Sequence, residues 1–405
     1  MVDENKVRPR RGRLNQRERE SRMQRFVLLA GTIVIISVVA LVGSGYYFTQ
    51  YRPLHQLIFR VNDKEFDMSY YVSAYKFYGT GQEVIELVEQ NELVRQAAEK
   101  LGISVSDDEA KAELEKRKVP VNTTTGTFIK AELLTSKLLD EYFDGKVPVS
   151  TLQRETMGIF LESEKQAKEI KDRLTSGEDF KKLAAQYSLD KTTKDASGYL
   201  DWHPNGTLSA LLGTSVLDDA VFKAAIGVLS EPIADSTKGK STGYWLMKLV
   251  DRQDDQAHVL AILAPDEEAA KKARARIEAG EDFIAVAKEV SQIPGVKDNG
   301  GDLGYIKKGD RSATFDDFAF KPEVAVGTLG QIVRDDQTQT RGGYWLIRVL
   351  AEDKDKTLSQ PDRNALKNRT YYEWVATLWS DKNNKVESFL TDEMKQWAKD
   401  ASTKS

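Results

Sequence analysis

The chain has no cysteine at all. Disulfides, thiolate metal sites, thiol nucleophiles and lipid attachment through Cys are therefore excluded. Histidine is nearly absent too, with only His55, His203 and His258. No HExxH-type spacing occurs, so no metal site and no cofactor is expected. There is no glycine-rich P-loop, which argues against a nucleotide partner and an ATP-driven cycle. The net charge is only −4 over 405 residues. A balance this close to neutral gives no reason to expect a nucleic-acid partner.

The net charge is small but unevenly distributed. Residues 1–25 hold nine basic side chains, from Lys6 to Arg25, against four acids, Asp3, Glu4, Glu18 and Glu20. The tail is thus +5 and the remainder −9. Directly after it, residues 26–48 run for 23 positions without a charge. At about 1.5 Å per residue such a helix crosses a hydrocarbon layer of about 30 Å. Tyr46, Tyr47 and Tyr51 follow, where amphipathic rings suit the lipid–water boundary. Basic flanks stay cytoplasmic, so the expectation is a single-pass cell-membrane protein. Residues 1–25 form a cytoplasmic tail, and the bulk is extracytoplasmic. A cleaved signal peptide is the competing reading, but its apolar core is usually 7–15 residues long.

Beyond the anchor, 57–149 reads as a short strand followed by helices. Leu57–Val61 is β-like, and Asn62-Asp63-Lys64 is a turn. Ser69 marks a helix start. Val84, Val88, Leu93 and Ala97 recur at helical spacing, and Gly102 ends that helix. Ser106 and Glu109 are spaced as a capping box. Residues 356–405 are again helical, with Tyr371, Tyr372, Trp374 and Trp379 crowded together. That aromatic helix needs a partner surface, and 57–149 is the natural one, giving a discontinuous domain.

Between these lies a repeat. Gly177-Glu178-Asp179-Phe180 recurs as Gly280-Glu281-Asp282-Phe283, and Ser197-Gly198-Tyr199-Leu200 as Gly300-Gly301-Asp302-Leu303. Asp218-Asp219 recurs as Asp316-Asp317, and Gly243-Tyr244-Trp245-Leu246 as Gly343-Tyr344-Trp345-Leu346. The offsets are 103, 103, 98 and 100, so the unit is a whole domain rather than a solenoid turn. The expected boundaries are contiguous, 150–253 and 254–352. The fold class is α+β, with a mostly helical domain and two tandem α+β domains.

The second copy resembles a parvulin-type (PpiC-like) peptidyl-prolyl cis–trans isomerase. The carrying motifs are Ala257-His258-Val259-Leu260, Gly280-Glu281-Asp282-Phe283, Asn299-Gly300-Gly301-Asp302-Leu303-Gly304-Tyr305 and Phe315-Asp316-Asp317. Residues 150–253 look like a diverged second parvulin. Residues 57–149 are similar to the N-terminal chaperone domain of periplasmic foldases. The resemblance implies a first-strand His, an acid or thiol before the Gly-Gly, a Met/Phe proline pocket and a last-strand His. On that basis His258 and Phe315 are the catalytic candidates. Trp345, Arg311 and Asp302 are the candidates for peptide contact. Arg311 stands where the pocket Met is expected, Ile293 where the acid is, and Trp345 where the second His is. In the first copy Gly158 replaces the first His, Leu217 the Phe and Trp245 the second His. Asp190 falls at the acid position. The first copy is therefore expected to be inactive.

Bland roles stand beside these. His258 and Phe315 would equally serve as core residues, and Gly300-Gly301 as backbone geometry. The resemblance implies X–Pro isomerisation in the second repeat and chaperoning of exported proteins. The partners would be unfolded or partly folded secreted and membrane proteins with proline-containing segments, and the bilayer through 26–48. The alternatives are an ATP-independent chaperone with degenerate, non-catalytic parvulin units, and a membrane scaffold.

Overall fold

The computed structural model describes residues 16–79 and 84–403. Residues 1–15 of the basic tail lie outside that description. Helix α1, Gln16–Tyr46, contains the uncharged run. Among the described residues the helical span Arg25–Leu54, most of it in α1, is the one long and apolar enough to cross a membrane, with a mean hydropathy of 2.8 over its most apolar 18 residues. Every side chain from Phe26 to Phe48 is exposed. Among the described residues nothing covers this apolar surface, which is the state a lipid-facing helix requires.

Two compact units follow. The first takes residues up to Tyr142 and then Tyr371–Ser405. Strands β1 (Leu57–Val61) and β2 (Lys64–Asp67) form a hairpin. Helices α2 (Met68–Tyr78), α3 (Val84–Lys100), α4 (Asp107–Arg117) and α5 (Thr123–Lys137) come next. Asp67 caps α2 by accepting from the Tyr70 N–H, so the start falls two residues before Ser69. Ser106 and Glu109 cap α4 reciprocally.

The second unit, Phe143–Thr370, holds both repeats. The first contributes β3 (Ser150–Leu161), α6 (Glu164–Thr175), α7 (Phe180–Tyr187), α8 (Lys191–Asp195) and β4 (Tyr199–Pro204). It continues with α9 (Leu208–Leu212), α10 (Val216–Lys223), β5 (Ile233–Lys240) and β6 (Gly243–Gln253). The second contributes β7 (Gln256–Ala264), α11 (Glu267–Glu278), α12 (Phe283–Val290), α13 (Val296–Asn299) and β8 (Asp302–Lys307). It ends with α14 (Ala313–Ala319), β9 (Val333–Asp335) and β10 (Thr340–Thr357). Helix α15 (Gln360–Ser380) then leads to β11 (Val386–Ser388) and α16 (Asp392–Thr403). In the first unit β11 pairs with β1, and α16 contributes Ala398 to the core around Phe59, Tyr71 and Phe128.

The strand order departs from the contiguous boundaries. One sheet runs β4-β3-β10-β5 and the other β8-β7-β6-β9. Each repeat's last strand therefore completes the other repeat's sheet. Trp345 lies opposite Phe160, and Trp245 opposite Leu263. The second body is thus 243–335, a continuous stretch inserted into the first, which is 150–240 closed by 340–357. Local geometry explains the choice. Gln253 pairs with Gln256 across the two-residue turn Asp254-Asp255, where Asp254 has φ +52°. Such turns match the twist of the flanking strands, and Asp tolerates positive φ. Strand β6 is thereby committed to its immediate successor, β7. Its former place beside β3 is filled by β10, which carries the same Gly-Tyr-Trp-Leu run.

This topology predicts which pieces fold alone. A fragment spanning 243–338 should give a dispersed NMR spectrum and one cooperative thermal transition. A fragment spanning 150–253 should not, because the strand between β3 and β5 is missing. The reverse result would restore the contiguous boundaries.

Candidate functional site

In each repeat a tryptophan on the last strand is fixed to an aspartate of the other repeat. Trp245 Nε1 donates to Asp335 Oδ2 at 2.8 Å, and Trp345 Nε1 donates to Asp235 Oδ2 at 3.1 Å. The Ser312 hydroxyl donates to the same Asp335 oxygen. Phe315 meets Trp245 edge-on, with centroids 5.1 Å apart, and both rings are buried. Burial would raise the Asp335 carboxyl, but bonds from Ser312, the Gln337 N–H and Trp245 outweigh it. They hold it below the usual carboxylate range. Asp235 is held low in the same way, burial being outweighed by Thr214, Thr237 and Trp345.

The glycines before β4 and β8 serve close approach. Gly301 has φ +79°, and a Cβ there would sit 2.3 Å from the Ala261 carbonyl oxygen. The Ala261 N–H donates to the Gly301 carbonyl at 2.8 Å, just as Gly158 does to Gly198. Phe160 N–H donates to Ser188 Oγ, and Leu263 N–H to Ser291 Oγ.

These matched bonds correct the alignment of the first strands. The structural counterpart of Gly158 is Ala261, not His258. His258 matches Glu155, three residues upstream. Glu155 accepts from Tyr199 Oη at 2.8 Å, while His258 Nε2 lies 2.7 Å from Asp302 Oδ1. Both are cross-strand pairs at the same place in their sheets. The repeat offset of 103 carried this signal, because Gly158 plus 103 is Ala261. The first copy therefore has Glu155, not an imidazole, where the second has His258.

The structure brings His258 and Asp302 together, with Tyr305 packed at 5.1 Å from the imidazole. It does not bring them to Phe315. Along β7 side chains alternate, and Leu263 faces Trp245. His258 is an odd number of residues from Leu263 and so projects from the opposite face. Burial raises the Asp302 carboxyl, but the Gly304 N–H and His258 outweigh it and hold it below its ordinary value. Phe315 is wholly buried, which makes it a core residue under Trp245. Trp345 sits in the other sheet, against Phe160 at 4.8 Å, because its strand is exchanged. The tryptophan beside Phe315 is Trp245. Arg311 is exposed and directly precedes Ser312. Asp190 caps α8 and is ion-paired to Lys238 at 2.6 Å, with both side chains largely buried. Reading the residues in order missed Asp235, Asp335 and Lys238. The 100-residue spacing of the two aspartates, equal to that of the two tryptophans, was the available clue.

Two segments match known families, each described as PPIC-type PPIase domain, at residues 160–251 and 244–353. This chain carries two PPIC-type PPIase domains. The two matches overlap at 244–251, within the strand that belongs to the first repeat by sequence and the second by pairing. Among curated proteins, the foldase protein PrsA of Geobacillus kaustophilus is 35% identical over 121 residues, covering 30% of this chain and 41% of the relative. The chaperone SurA of Pseudomonas syringae pv. syringae is 26% identical over 273 residues, covering 62% of this chain and 59% of the relative. The chain therefore spans about half the length of these relatives. A solved peptidylprolyl isomerase, PrsA of Bacillus anthracis, covers 83% of this chain and 94% of its own at 14% identity, with a TM-score of 0.29, too low to carry weight.

The buried Asp335 bonds predict a stability effect with a defined sign. A carboxyl held low in the fold stabilises above its unfolded value of about 3.9 and loses that contribution as pH falls through the folded value. Asp335→Ala leaves the Trp245 indole and Ser312 without their acceptor. It should cost about 1–3 kcal/mol at pH 7 and flatten the acid limb of a pH–stability curve. Chemical denaturation from pH 2 to 7 measures this.

Proposed function

We propose that the chain is a membrane-anchored, extracytoplasmic foldase of parvulin type. It speeds cis–trans exchange of X–Pro bonds and holds unfolded exported chains. The observation that carries this reading is the pair of PPIC-type domains, each with its four-stranded sheet complete, behind one uncovered apolar helix. The basic residues before that helix favour a cytoplasmic N-terminus with the domains outside. The first unit serves as the chaperone part.

The chemistry is modest in its demands. The amide C–N bond has partial double-bond character, with a barrier of about 18–20 kcal/mol. The isomers differ by only about 0.5–1 kcal/mol, so rate is the whole problem. Uncatalysed exchange takes tens of seconds and limits folding. An environment that disfavours the charge-separated amide favours the twisted state, and needs no proton transfer. With His258 on the face away from Trp245 and tryptophan in place of the last-strand histidine, we take catalysis on the second repeat to rest on such desolvation rather than on an imidazole. The same loss favours a second reading, in which the domains bind prolyl segments without turning them.

The test is prolyl-peptide isomerisation by the full chain in lipid nanodiscs, with aggregation of an unfolded client followed in parallel. Rates above the buffer background and client protection are expected. Protection with background rates would select the second reading, and absence of both would sink the proposal. His258→Ala should keep the isomerisation rate within about twofold, since His258 leaves the sheet on the face away from Trp245. A tenfold or greater loss, about 1.4 kcal/mol in the barrier, would return it to the catalytic site.

A further inference from the structure

The two repeats differ most where β4 and β8 hand over to the helices beside the tryptophans. In the first, Pro204-Asn205-Gly206-Thr207-Leu208 carries no charge. The Asp218 carboxylate accepts from the Gly206 and Leu208 N–H groups at 3.1 and 3.0 Å. Helix α9 follows, and its Leu208 and Leu212 are buried in the cluster that contains Trp345. Lys238 holds that helix down, donating to the Leu212 carbonyl while paired with Asp190. This face is apolar and covered, its Lys238 and Asp190 charges are paired with each other, and the Arg369 side chain lies against Gly206.

In the second repeat the matching bond runs from the Gly309 N–H to Asp316 at 2.8 Å, which aligns Arg311 with Leu208. The counterpart of α9 is missing, as the drop in repeat offset from 103 to 98 requires. Arg311 therefore passes straight into Ser312, which caps α14 and is tied to Asp335. The Lys238–Asp190 pair is replaced by Thr338 and Ile293, so the internal carboxylate is gone as well. The loop reads Lys307-Lys308-Gly309-Asp310-Arg311. Asp310 accepts from the Lys307 N–H, and Lys307 lies 3.6 Å from Asp255. Lys308 and Arg311 are exposed, and among the described residues neither has a carboxylate partner. The result is an uncancelled pair of cations on a backbone anchored to the Trp245–Asp335 cluster, in a chain that is acidic outside its tail.

We propose that Arg311, with Lys308, sets the specificity of the second repeat by binding the carboxylate of an Asp or Glu next to the proline of the client segment. This rests on the foldase reading above. The residue before proline is held extended, which places its side chain close to the ring. Arg offers a planar fork suited to a carboxylate, whereas Lys308 adds field without geometry. The first repeat, with Leu208 at the same place, makes no such distinction. Exposed ion pairs are worth little, so the preference is small and weakens as salt screens it.

The experiment uses the full chain in neutral-lipid nanodiscs and three dye-labelled peptides that differ only in Glu-Pro, Ala-Pro or Lys-Pro. Turnover and equilibrium binding are both read at about 20 and 500 mM salt, a range over which screening becomes strong. Glu-Pro should exceed Lys-Pro by about 2–5-fold at low salt, in binding even if turnover is at background. The ratio should fall toward one in R311A and invert in R311E, while L208A leaves it unchanged. An unchanged ratio in R311E, or a preference indifferent to salt, would overturn the assignment. Absence of both binding and turnover for all three peptides would overturn the foldase reading instead, and the assignment with it.

Discussion

A turn of two residues decides how the repeats share their strands. Asp254 and Asp255 reverse the chain so tightly that Gln253 already faces Gln256. That hairpin removes β6 from the sheet its sequence position suggests and gives it to β7. Everything else in the second unit follows. Strand β3 must take its neighbour from β10, and each indole must find its carboxylate in the other repeat. The first body cannot close until residue 357 has been supplied. The second closes within itself. Non-local pairing of this kind carries a larger loop-closure cost, so the inserted body is the one favoured to form first.

Much of this was legible in the residues. The uncharged run at 26–48, the Ser106–Glu109 cap, the helices at Glu267 and Phe283 and the two-domain repeat all follow from local pattern, because caps, periodicity and glycine positions act over a few residues. The strand exchange was not legible. Gly243-Tyr244-Trp245-Leu246 and Gly343-Tyr344-Trp345-Leu346 offer a sheet the same side chains, so sequence alone does not say which copy each one joins. Their partners Asp235 and Asp335 are equally interchangeable.

The site shows a different limit of local pattern. His258 stands in a run that reads like a parvulin first strand, and the expectation attached to that run. Backbone bonds are the stricter guide. Ala261 and Gly158 make the same N–H contact to Gly301 and Gly198, and this pairs Gly158 with Ala261 and Glu155 with His258. Phe315 and Trp345 were matched by position and then separated by topology. What survives is a distinction between the two faces. One is covered by α9 and neutralised by Lys238 and Asp190. The other lacks a counterpart of α9 and has Arg311 beside Ser312.

The absence of cysteine makes the central claim directly measurable. Glu155 and Ala351 are half-buried and lie opposite each other across β3 and β10, whereas the contiguous alternative would put Asp251 opposite Glu155. Facing residues in an antiparallel pair are close enough for a disulfide. Two double variants of the full chain, Glu155→Cys with Ala351→Cys and Glu155→Cys with Asp251→Cys, are oxidised and mapped by mass spectrometry. Strand exchange predicts an intramolecular cross-link in the first and none in the second. A cross-link in the second, with none in the first, would contradict it.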